Sequence, residues 1–141
     1  MTLEERPWRC EADNSMNKLI SKTDPHSWYN HYNRVLFGNR LQQANGKLGA
    51  WVVVGYRRDM DDCWGRTTAW KNLNGTFRIQ IAYDLRRCPW AFKQALIHEM
   101  IHADLFVRKI HRYFAHGQAF QKEARRIFRH PEYLKLFGVY H

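Results

Sequence analysis

The segment from Ala95 to Phe106, ALIHEMIHADLF, sets the strongest limit on how this chain can fold. Phe92, Ala95, Leu96, Met100, Ala103 and Phe106 follow a helical period, Leu96, Ile97, Met100 and Ile101 flank the polar residues, and Pro89 suits the first turn of the helix that carries them. His98, Glu99 and His102 sit inside that apolar run. Residues i and i+4 of a helix lie one above the other, so His98 and His102 share a face. Two imidazoles and a carboxylate in a buried helix are costly without partners, since buried polar groups must be satisfied. A metal ion supplies such a partner. His98-Glu99-Met100-Ile101-His102 is an H-E-x-x-H pattern: the two histidines are candidate zinc ligands, and Glu99 is the candidate base for a metal-activated water.

Two histidines leave a third protein ligand to be found. Leu105 and Arg108 stand where a metzincin requires Gly and His, which excludes that class. Three downstream residues remain open on spacing: His116, Glu123 and His111. His116 is favoured because it precedes Gly117 and opens a further predicted helix, which turns the chain back toward the metal helix.

The rest of the chain reads as one α+β domain. Asp24 and Pro25 mark a helix start, and SWYNHYNRVLF continues it to a stop at Gly38. Residues 48–56 (LGAWVVVGY) and 63–70 (CWGRTTAW) are predicted strands. The segment 77–83 (FRIQIAY) alternates, with Phe77, Ile79, Ile81 and Tyr83 on one face. Three such strands joined by short loops predict a small antiparallel three-stranded sheet. Helices are expected from Pro89 to about Lys109, over 117–129, and over PEYLKLF before Gly138. Residues 1–22 are polar and aperiodic and are expected to form a loosely ordered arm, leaving 23–141 as the domain.

At 141 residues the chain is long enough to bury a core. Lys and Arg number 23 against 13 Asp and Glu, giving +10, which favours an anionic partner, most often nucleic acid. Arg108, Lys109, Arg112, Lys122, Arg125, Arg126 and Arg129 cluster late and are the candidate phosphate contacts. Trp51, Trp64 and Trp70 suit core packing better than base stacking. The three cysteines, Cys10, Cys63 and Cys88, are scattered; neither a disulfide framework nor a Cys-based zinc ribbon is expected, and a reducing intracellular compartment fits. No apolar signal core and no run near the roughly 20 residues of a membrane span is present, and a monomer is expected.

LIHEMIHADLFVRKIHRYFAHGQAF resembles the active-site segment of the SprT-like metallopeptidases, with their Spartan-type catalytic domain. That family follows its H-E-x-x-H helix with an H-G-x-x-F motif, matched here by His116-Gly117-Gln118-Ala119-Phe120. WYNHYNRVLFGNRL is similar to the family's first helix and its F-G-x-x-L ending, and WGRTTAW and FRIQIAY occupy the places of its sheet, so the likeness spans roughly residues 28–130. The resemblance implies a minimal zincin-like fold, with the small sheet packed on the metal helix, and one catalytic Zn²⁺ on His98, His102 and His116. It also implies proteolysis of DNA-associated proteins, including DNA–protein crosslinks, with single-stranded DNA the favoured nucleic acid. The compartment follows the source: nuclear in a eukaryote, cytoplasmic in a bacterium or virus. Two other classes stay open: a DNA-binding module whose zinc is structural, and a metal hydrolase acting on a non-peptide bond. By analogy with zincins, 77–83 is the candidate edge strand for aligning a peptide substrate.

Overall fold

The computed structural model describes residues 25–42, 44, 52–60, 63–69, 76–108 and 116–137. The expected arm, Asp24, the strand residues 48–51, Trp51 and Trp70 lie outside them. In chain order the elements are α1 (Pro25–Leu36), β1 (Val52–Arg57), β2 (Gly65–Ala69), β3 (Phe77–Ala82), a 3-10 turn (Tyr83–Arg87), α2 (Pro89–Val107), α3 (Gln118–Phe128) and α4 (Pro131–Phe137). Among the described residues the domain is α+β, with four helices and one small sheet.

The sheet corrects one expectation. It is mixed, in the order β1-β3-β2. β2 runs antiparallel to β3, with Thr67 opposite Ile79, while β1 runs parallel to β3, with Val54 opposite Ile79. Alternation tells which face a residue takes and nothing about its neighbour strand, so short loops alone suggest an antiparallel meander. Here the chain leaves β1, passes to the far side, forms β2, and then inserts β3 between the two. β3 is therefore the central strand. Phe77, Ile79 and Ile81 are its fully buried residues, and they pack beside Val52 and Val54 of β1 under α1 and α2.

α2 lies across the inner face of the sheet and is buried on all sides: every residue from Ala91 to Leu105 is buried. A helix with no solvent face must satisfy all its polar side chains internally. Asp104 does so through two arginines. Its carboxylate is fully buried and accepts Arg40 Nε at 3.1 Å and Arg40 Nη2 at 3.0 Å, and Arg108 Nη2 stands 3.1 Å away. Contact with Asp104 holds the Arg40 guanidinium above its ordinary pKa, chiefly by hydrogen bonding.

Arg40 reaches Asp104 because of how α1 ends. Gly38 and Asn39 both take positive φ, 58° and 61°, which stops the helix and reverses the chain. Asn33 then fixes the outgoing strand: its Nδ2 donates to the Leu41 carbonyl at 2.7 Å, and its Oδ1 accepts from the Leu41 amide at 3.1 Å. Trp64 is core, 2% exposed.

Removing one partner from a buried ionic group costs about 3 kcal/mol. Asp104→Asn is expected to lower the thermal midpoint by about 10 °C; an unchanged midpoint in a melting experiment would show that the Arg40–Asp104 contact does not hold the fold.

Candidate metal centre

His98 and His102 project from the middle of α2, one turn apart. His116 arrives from the other side, directly before α3. Gly117 is the N-cap of α3, with its carbonyl accepting the Gln121 amide at 3.0 Å, and the Gln121 side chain donates to the His116 carbonyl at 3.2 Å. The turn that starts α3 thus fixes His116. Its Nε2 lies 3.1 Å from His98 Nε2 and 3.2 Å from His102 Nε2. Three ligands at zinc–nitrogen distances of 2.0–2.1 Å in tetrahedral geometry stand about 3.3 Å apart. The donor spacing therefore fits one divalent ion, and these three residues form a group able to hold it.

Phe120 forms the wall of the cluster. Its ring centroid lies 4.9 Å from His98, 4.6 Å from His102 and 4.8 Å from His116. One aromatic ring thus touches all three imidazoles, restricts their rotation and keeps water off one side. Glu99 stands beside the group, with Oε2 3.9 Å from His98 Nε2. Its carboxylate is 2% exposed and is positioned by β2: Thr67 donates from Oγ1 to Glu99 Oε1 at 2.8 Å and lies 3.1 Å from the Glu99 carbonyl.

Gly65, also on β2, opens the space for this side chain. A Cβ placed on Gly65 would come within 2.8 Å of Glu99 Cγ. Thr67 and Gly65 occupy alternate positions on the face of β2 that meets α2. No spacing in the sequence announces them, because they act across the fold on a residue more than thirty positions away.

Among the described residues, His98, His102 and His116 come together as the sequence suggests. Glu123 does not join them. It is 6% exposed and belongs to the ionic cluster of Asp104: it accepts from Arg108 Nη2 at 2.8 Å, from Arg126 Nε at 2.7 Å and again from Arg126 Nη2, and from Arg40 Nη2 at 3.3 Å. Two of the candidate phosphate contacts, Arg108 and Arg126, are thereby tied to carboxylates. Lys122, Arg125 and Arg129 are exposed on or next to α3. Lys109, Arg112 and His111 lie outside the described residues. The strand 77–83 is not an edge: β3 is paired on both sides, so the strand beside Glu99 with an edge turned from β3 is β2.

The sequence profile of the SprT-like family matches residues 25–138. The chain belongs to the SprT-like family. Among curated proteins, none matches it. Within this SprT-like chain the matched span includes both the H-E-x-x-H helix and the H-G-x-x-F turn, the two segments that bring the imidazoles together.

Purified protein is expected to carry one divalent ion per chain, lost in His116→Ala; elemental analysis showing equal metal in both would remove His116 from the site. Gly65→Ala is expected to keep the ion while moving the Glu99 carboxylate. A displacement of that kind costs about 100-fold in turnover, and an unchanged kcat would show that Glu99 has room to spare.

Proposed function

We propose that this SprT-like chain is a zinc-dependent endopeptidase acting on DNA-associated proteins, including DNA–protein crosslinks. The observation that carries it is the joint placement of three imidazole nitrogens and a buried carboxylate that is not one of the group. His98, His102 and His116 would hold a zinc ion, which when bound would supply Lewis acidity toward water and toward a scissile carbonyl. Glu99 takes the proton of the attacking water. Thr67 keeps one carboxylate oxygen occupied, which leaves the other directed toward the histidines. Phe120 closes one side, so substrate enters from the side on which β2 lies.

β2 is the strand best placed to align a peptide by backbone pairing. Among the described residues it pairs only with β3. The extended substrate would then lie along β2, with its scissile bond brought to Glu99. A structural zinc module calls for a closed set of four ligands. Among the described residues the group has three members, which supports a site with a position open for chemistry.

Support for a nucleic-acid partner comes from the net charge of +10 and from Lys122, Arg125 and Arg129 on the exposed surface of α3. Single-stranded DNA is the favoured form. Residues 23–141 are taken as the catalytic unit, acting as a monomer inside the cell. Among the described residues no helix is long and apolar enough to cross a membrane.

The test is cleavage of a basic protein such as a histone, with and without single-stranded DNA. Glu99→Gln is expected to retain the ion and to lose about 10²–10⁴-fold in turnover, the usual contribution of a general base. Normal cleavage by that variant would end the assignment of Glu99, and absence of cleavage by the metal-loaded wild type would end the peptidase proposal.

A further inference from the structure

The ionic cluster behind the metal site has a second consequence. The end of α2, the turn after α1 and the flank of α3 enclose a surface cavity of about 580 Å³. Four of its lining residues are cationic, Arg40, Arg108, Lys122 and Arg126, and the one anionic lining residue is Glu123. Asp104 lies behind the arginines, fully buried. Four positive charges thus face two carboxylates, each of which is already engaged by arginine. Asp104 Oδ1 and Oδ2 take Arg40, and Oδ2 also stands 3.1 Å from Arg108. Glu123 Oε1 takes Arg40 and Arg126, and Oε2 takes Arg108.

The donors are not saturated. Arg40 and Arg126 use only Nε and Nη2, and Arg108 uses only Nη2. Among the described residues, the Nη1 groups of all three and the Lys122 ammonium have no acceptor. The three arginine side chains are 37%, 37% and 42% exposed, so their remaining N–H groups are accessible. They are also held in place, because each is anchored by a buried or nearly buried acid. Preorganised guanidinium forks beside an ammonium suit an anion with several oxygens, and little side-chain freedom is lost on binding. The other exposed arginines of α3, Arg125 and Arg129, border a mainly apolar groove and converge on no such point.

We propose that this cavity is a binding site for a phosphate group, with Arg40, Arg108, Lys122 and Arg126 as its donors. The site is separate from the histidine cluster and does not depend on the peptidase assignment. Arg40 enters it from a segment outside the basic stretch at 108–129, so the site is made by the fold and not by a charge run. The phosphate is either free or part of a phosphodiester chain, and the chemistry recognised is the same.

Lys122 gives the clean test, because it is exposed and takes no part in the ion pairs that hold α3. Calorimetric titration of the full chain with inorganic phosphate at low salt is expected to show binding that weakens about tenfold in Lys122→Ala. Lys122→Arg should restore it, and Arg87→Ala, an exposed arginine elsewhere, should leave it unchanged. No phosphate binding, or binding indifferent to Lys122→Ala, would overturn the proposal. So would binding that disappears on chelation of the metal while ignoring Lys122. A single-stranded oligonucleotide distinguishes the sources. Loss of about one unit in the slope of log affinity against log salt in Lys122→Ala supports a phosphodiester chain. Oligonucleotide binding indifferent to Lys122, beside Lys122-dependent phosphate binding, supports a free phosphate.

Discussion

Everything in this domain is arranged around a helix whose long central stretch, Ala91 to Leu105, is buried. α2 carries His98, Glu99, His102 and Asp104 in its buried stretch, and each must find a partner within the protein. The histidines meet His116 and the ring of Phe120, Glu99 meets Thr67, and Asp104 meets Arg40 and Arg108. Burial strengthens each of these contacts, since water no longer competes, and it makes each one hard to give up. One constraint, the enclosure of this stretch of α2, therefore accounts for the metal-ready geometry and for the ionic clamp behind it.

The clamp and the site are mechanically joined. Glu123 lies one turn from Phe120 on α3, and Asp104 lies two residues from His102 on α2. Arginines bridging the two acids hold α3 against α2, and α3 in turn carries Phe120 and begins where His116 ends. The position of His116 thus depends on ion pairs that never touch it. This is the sense in which the turn at Gly38 and Asn39 matters to the metal centre: it delivers Arg40 to the bridge.

What could be read from the sequence was what depends on local period. The helical run and the i, i+4 histidines mark α2, and the H-G-x-x-F turn marks His116 and Phe120. The alternation at 77–83 gives the correct buried face of β3. What could not be read was what depends on pairing across distance. Alternation does not distinguish a central strand from an edge strand, so β3 resembles the strand that a substrate would meet, although β2 lies in that place. Glu123 has the spacing of a ligand but finds three guanidinium groups closer to hand. The Arg40–Asp104 contact spans 64 positions, and Gly65 is informative only through what it lacks.

The insertion of β3 between β1 and β2 also bears on how the chain comes together. β2 and β3 are neighbours in sequence and can associate after closing a short loop. Among the described residues β1 has no strand partner until β3 exists, because its pairing joins Val52 to Phe77. The cost of closing that larger loop falls on a later event, and parallel register is slower to find than a hairpin. During synthesis, β1 emerges first and waits with one hydrophobic strand unsatisfied. The apolar side chains of β1 are thus exposed to intermolecular pairing for as long as β3 is missing.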